Sequence, residues 1–367
     1  MHLSRRTVLS TLGAACALAP ARAQAVVDLG AIGREHGLMF GSAFDREIFH
    51  DNDYRALLSA NCCIGSIENS LKFDWLRGKG PVADFTIADK LVAFAASARM
   101  AVRGTGLIWN DWPPDWLKAL SASEIAAMLD RHVDETVSRY AGRMQSWDVV
   151  NEPFYPPHGR QGGYRKGPWL DTMGKDYIAR AFRGAAAADP KARLVLNEAF
   201  CEQDDELGRS IRPSLLSLVG ELKQAGVNLA AVGFQAHLKP HLPFDDQAFA
   251  AYLDRVGAMG VDIYITEFDV DDSSLPDDIA VRDSMVAERC GKFLGAVLAV
   301  PRVKALICWH LSDRYSWYQS ADWYAKAVGS FGGDPARVVR THLADNALKP
   351  KFAWHSVARA MASRARA

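Results

Sequence analysis

Apolar and polar positions follow two rhythms along this chain. Short, mostly apolar runs recur at residues 38–43, 63–67, 100–108, 145–150, 193–196, 231–235, 262–266 and 305–308. They do not alternate strictly, as befits strands of a parallel sheet buried on both faces. Between them, apolar residues fall at helical spacing. Ile87, Leu91, Phe94, Ala95 and Ala98 mark one face of a helix that Asp84 or Thr86 caps. A second helix starts after Ser121 or Ser123, and from Ser123 the capping-box position is Ala126, which has no reciprocal carboxylate. Further helices are expected at 176–188, 214–225, 246–259, 280–298 and 352–362. Eight strands, each followed by a helix, predict an α/β fold: one closed (β/α)8 TIM barrel over 24–367. The competing architecture is an open doubly wound sheet. That fold would carry a glycine-rich nucleotide loop, and no GxGxxG or GxxxxGK[ST] follows any of the runs. The stretch 318–346, rich in Gly, Trp and Tyr, reads as an irregular insertion after the last strand.

The N-terminus stands apart from this pattern. Arg5 and Arg6 precede an apolar run from Val8 to Ala19, and Ala21-Arg22-Ala23 is a small-x-small cleavage site. Ser4-Arg5-Arg6-Thr7-Val8-Leu9 resembles a twin-arginine export signal. Residues 1–23 are therefore expected to be removed, leaving a secreted or periplasmic protein; a general secretory signal is the alternative. No later stretch is apolar for long enough to span a bilayer, so no membrane association is expected after processing.

Charge narrows the partner. Lys+Arg and Asp+Glu both number 43, so no basic field points to nucleic acid, and the expected partner is neutral. Ten Trp and ten Tyr supply flat, amphipathic surfaces. Outside the signal the cysteines are Cys62, Cys63, Cys201, Cys290 and Cys308. This odd, scattered set reads as buried free thiols, with one bridge left open, and no spacing suggests a metal or another cofactor. A monomer is expected.

The chemistry sits at the carboxyl ends of the strands, where a barrel of this kind places its catalytic groups. The fourth ends Trp147-Asp148-Val149-Val150-Asn151-Glu152-Pro153, with Pro153 expected to hold Glu152 extended at the mouth. The seventh ends Ile265-Thr266-Glu267-Phe268-Asp269, where Glu267 and Asp269 share a face and Asp269 is the better candidate for a structural acid held by backbone amides. On the sixth, Gln235 and His237 share a face, and beside Glu267 the histidine would help keep a nucleophile ionised. Trp309 and Trp317, after the eighth, suit stacking against sugar rings, although core packing is the default for any Trp. Two strand-end glutamates facing one mouth are what glycoside hydrolysis by paired carboxyl groups needs.

In this order the motifs resemble glycoside hydrolase family 10, the endo-β-1,4-xylanases. The resemblance implies Glu152 as acid/base, Glu267 as nucleophile, and Asn151 at the sugar 2-hydroxyl. It implies that Gln235 and His237 orient the two glutamates, and that Trp309 and Trp317 bind substrate from the eighth loop. Glu68-Asn69 with Lys72-Phe73-Asp74 resembles the second-strand motif that binds the non-reducing side, with Phe73 where Trp is usual. Scaffold segments match as well: Pro168-Trp169, Ala187-x-Asp189-Pro190, and Lys349-Pro350-Lys351 before the last helix. The implied function is retaining hydrolysis of a xylan-like polysaccharide or oligosaccharide. The alternatives are a relative acting on a decorated or different β-glycan, a transglycosylase, or a silent glycan-binding barrel. The third strand departs from the family: Arg103, Gly104 and Trp109 are kept, but Thr105 and Asn110 stand where histidines are usual. That departure bears on substrate identity more than on reaction class.

Overall fold

The computed structural model describes residues 27–365, and the export signal read from the sequence lies outside them. Eight parallel strands run β1 (Met39–Phe44), β2 (Ile64–Ile67), β3 (Ala101–Gly104), β4 (Ser146–Asn151), β5 (Arg193–Glu198), β6 (Ala231–Phe234), β7 (Asp262–Val270) and β8 (Val303–Cys308). Each pairs with the next, and β8 pairs with both β7 and β1, so the sheet closes on itself. The closed barrel read from the strand–helix alternation is what forms, and the open sheet is excluded.

The inside of the barrel changes character from floor to mouth. Ile64, Val195, Ala231, Tyr264, Ala305 and Ile307 form an apolar plug. Because strand side chains alternate in direction, the next inward positions along these strands, and along β3, whose Ala101 packs against the plug, are Ser66, Arg103, Asn197, Gly233, Thr266 and Trp309. Arg103 and Asp148, both fully buried, form an ion pair across β3 and β4. The outer faces of the strands pack into one large core beneath the helices.

Three strands carry an extra residue near their carboxyl ends. The β3 line, read from its sequence as one strand over 100–108, breaks after Gly104 and resumes as a short segment, Ile108–Trp109. Gly104 pairs with Trp147 but Ile108 with Val150, so one residue bulges out. Gly106 sits in this bulge at φ +53°, where a Cβ would be strained. Register also slips by one on β4 between Asp148 and Val150, and on β7 between Ile265 and Phe268. Each slip reverses the parity of the residues beyond it.

Several helix boundaries differ from those expected. A helix at Leu29–Glu35 precedes the first strand, in a stretch too short to show a period. Ser121, not Ser123, caps Ala122–Arg139, and Glu124 completes a reciprocal capping box. The helix expected from residue 214 spans Glu206–Gln224, with Pro213 inside it and Asp205 capping the start. The post-β8 segment is not wholly irregular: it contains the helix Asp322–Ser330, and Tyr318, Tyr324, Val328 and Val339 give it a small core of its own. None of the five described cysteines is in a disulfide.

Candidate active site

A cavity of about 390 Å³ opens at the carboxyl end of the barrel. All eleven residues expected to line a site border it: Glu68, Asn69, Lys72, Trp109, Asn151, Glu152, Gln235, His237, Glu267, Trp309 and Trp317. The bulges explain much of this convergence. On β7 the extra residue lets both Thr266 and Glu267 reach the same partner, Asn197 on β5: Thr266 Oγ1 donates to its Oδ1 (2.7 Å), while its Nδ2 donates to Glu267 Oε1 (2.9 Å). On β4 the slip turns Asn151 inward beyond Asp148, where its Oδ1 accepts from the same Asn197 amide at 2.8 Å.

The other Glu267 oxygen faces His237, whose Nε2 stands 3.3 Å away, while Nδ1 lies 2.9 Å from Asp269. Burial alone would lower the His237 pKa, but the two carboxylates outweigh it and hold the value at about 10. The imidazolium therefore persists at neutral pH, facing both carboxylates. Asp269 is a structural acid as expected, but side chains rather than backbone amides satisfy it: Trp317 Nε1 donates at 3.0 Å and the Tyr318 hydroxyl at 2.9 Å. The anchored Trp317 ring then lies 5.4 Å from the His237 ring.

Glu152 is not extended. Its φ is +49°, a left-handed conformation, so the reading of Pro153 as enforcing an extended residue is corrected. Backbone hydrogen bonds override the proline: Glu152 N–H donates to Asn197 O (2.8 Å), and Arg165 Nε donates to Glu152 O (2.9 Å). The carboxylate is ringed by donors. Gln235 Nε2 donates to Oε1 at 2.8 Å, Asn151 Nδ2 lies 3.3 Å from it, and Arg165 Nη2 stands 2.7 Å from Oε2. Arg165 itself is buried and also binds Asp111 at 2.5 Å.

On the β2 side, Lys72 Nζ donates to Asn69 Oδ1 (2.9 Å) and lies over the faces of Trp109 and Trp309 at 5.4 and 5.9 Å. Glu68 is gripped by His310 Nε2 at 2.9 Å. Burial would raise the Glu68 carboxyl, but the charge of His310, then Lys72, holds it below its usual range. Thr105 is buried, and its hydroxyl donates to the carbonyls of Ile67 (2.5 Å) and Glu68 (3.0 Å), so it has no hydrogen left for a ligand. Asn110 serves the scaffold: its Oδ1 accepts from Trp169 N–H at 3.2 Å, and its Nδ2 donates to Tyr177 OH at 3.2 Å.

Sequence reading missed Asn197 and Arg165. The first ends the apolar run Leu194-Val195-Leu196, a strand-end signal that was available. The second lies in a loop with no periodicity to mark it. Backbone strain also marks the site: of the seven described non-glycine residues with positive φ, Trp112, Glu152, Phe200, Ala236 and His310 follow barrel strands at the mouth. Such conformations persist where surrounding contacts over-determine them, and they gather at functional sites. Among the described residues, no group of three or more His, Cys, Asp or Glu side chains is arranged to hold a metal.

Residues 29–360 match the profile of glycosyl hydrolase family 10. An endo-1,4-beta-xylanase C from Phanerodontia chrysosporium is 32% identical over 287 residues, covering 76% of this chain and 68% of that protein. The crystal structure of native xylanase 10B from Thermotoga maritima superposes with a TM-score of 0.80 at 28% identity, covering 91% of this chain and 98% of that one. Xylanase 10B from Thermotoga petrophila, solved in complex with xylobiose, gives 0.80 and 28%, covering 91% and 97%. With its closed barrel and two mouth glutamates, this chain belongs to glycosyl hydrolase family 10 and is a glycoside hydrolase.

Proposed function

We propose that the protein is a retaining endo-β-1,4-xylanase. One observation carries this reading: Glu152 and Glu267 reach the same cavity from β4 and β7, linked through the single amide of Asn197 and the Asn151 side chain. Glu267, beside an imidazolium, suits attack at C1 to form a glycosyl ester. Glu152 protonates the departing glycosidic oxygen, then takes a proton from the water that displaces Glu267. The donors around Glu152 suit its ionised, water-activating form. Turning the Gln235 amide would present its carbonyl to the protonated form. Lys72, Asn69 and Glu68 are assigned to sugar hydroxyls, and Trp309 and Trp317 to ring faces. The names of the xylanase relatives and the xylobiose-bound neighbour support xylan as substrate.

The test is a product profile on xylan, arabinoxylan, cellulose and mixed-linkage glucan, with the anomer released followed by NMR. Oligosaccharides appearing first as the β-anomer from xylan support the reading. Release of the α-anomer, or turnover of another glycan alone, overturns it. The twin-arginine-like segment supports export of the enzyme, which N-terminal sequencing of the mature protein tests: a start near residue 24 is expected.

A further inference from the structure

Trp112 stands beside the catalytic cavity with most of its indole in water. It borders the cavity yet is 73% exposed, against 6% for Trp309. Among the described residues, no hydrogen bond or ring contact holds its indole. A large apolar surface left in water gains nothing for the fold. The backbone beneath it is also costly. Trp112 sits at φ +55°, a region in which a bulky side chain is an outlier, and Pro113 follows directly.

The neighbours show what holds it there. Asp111, the preceding residue, is bound by buried Arg165, which also grips the Glu152 carbonyl. Asn110 is pinned to the start of the helix Pro168–Met173 through the amides of Trp169 and Leu170. Pro113 and Pro114 stiffen the exit. The strained turn is thus braced to the same guanidinium that braces the acid/base candidate, and its product is an indole presented at the rim. Strain maintained by this much bracing, for a side chain without a polar or ring partner among the described residues, points to a partner outside the protein.

We propose that Trp112 is a stacking platform for a further pyranose ring of the substrate, beyond the ring whose bond is cleaved. The occupant follows from continuity with the cavity: Trp109, three residues earlier, borders the same cavity, and a glycan leaving it passes along the rim. A flat, exposed indole offers a pyranose the apolar contact that a polar side chain does not. The proposal rests on the glycan-hydrolase reading above and adds a subsite specific to this chain's third loop.

The experiment compares Trp112→Gly and Trp112→Phe with the parent enzyme on 4-nitrophenyl β-xyloside and on xylo-oligosaccharides of increasing length. Glycine suits the positive φ, so Trp112→Gly is expected to keep or raise the melting temperature. It is expected to lose about threefold to tenfold in kcat/KM on the longer oligosaccharides, mainly through KM, while the aryl monoxyloside stays within about twofold. Trp112→Phe should retain most of the long-chain activity. Equal losses on all substrates, no loss on any, or a lowered melting temperature in Trp112→Gly overturns this inference while leaving the xylanase reading intact. A parent enzyme inert toward every xylo-substrate overturns both.

Discussion

The two glutamates are told apart by what surrounds their oxygens. Glu267 shares its charge with His237 and the Asn197 amide, whereas Glu152 faces a rotatable amide and a guanidinium. Glu267→Ala should therefore abolish labelling by a 2-fluoro glycoside and turnover of every substrate. Glu152→Ala should spare the first chemical step when the leaving group needs no proton, as with dinitrophenolate. Equal loss on good and poor leaving groups would reverse the assignment. Thr105 makes the complementary case. Its hydroxyl serves the Ile67 and Glu68 carbonyls, so Thr105→Val should cost about 0.5–1.5 kcal/mol in urea unfolding. Activity should remain within about twofold of the parent, because no hydrogen bond to substrate is lost. A large fall in kcat with unchanged stability would mean that the hydroxyl turns to the sugar. His310, strained at φ +75°, holds Glu68 from just beyond the eighth strand, so a histidine serves this corner of the cavity from that side.

At the scale of elements, the site depends on single-residue insertions that periodicity does not reveal. A strand read with a strict period of two would put Thr266 inward and Glu267 outward; the slip on β7 brings both to Asn197. The β3 bulge does the same service for Trp109, which pairs beside Asn151 only because the strand resumes one residue late. Gly106→Ala tests the bulge. The added Cβ meets only ordinary contact, 3.6 Å from Lys72 Cγ, so the cost comes from φ. The expected loss is about 1–2 kcal/mol in denaturant unfolding. If the bulge relaxes, Trp109 and Lys72 shift, and kcat/KM should fall roughly tenfold or more. Unaltered activity in a destabilised variant would show that the bulge serves folding alone. The helix boundaries fail for a related reason: Pro213 reads locally as a start, yet packing carries the helix Glu206–Gln224 through it.

Across the whole molecule, the catalytic end carries a charge that also bears on stability. Asp269 and Glu267 lift His237 from its ordinary 6.5 to about 10 despite burial. A base whose folded pKa exceeds its unfolded value stabilises the fold fully below pH 6.5 and loses that contribution as pH rises through about 10. The melting temperature should thus decline between neutrality and pH 10, and His237→Gln should flatten that decline while lowering activity. An equally steep alkaline decline in His237→Gln would exclude this group as its source.

The chain alone determined the barrel, because eight apolar runs alternating with amphipathic stretches can close their core in few ways. It also determined which carboxylates and aromatic residues stand at strand ends, since those positions follow directly from where the runs stop. Only the tertiary structure decided how they face one another. Asn197 joins the two halves of the site, Arg165 reaches Glu152 from a loop thirteen residues on, and Glu152 leaves the extended region against the preference of the following proline. Each depends on hydrogen bonds between segments distant in sequence, and local propensity carries no record of those partners.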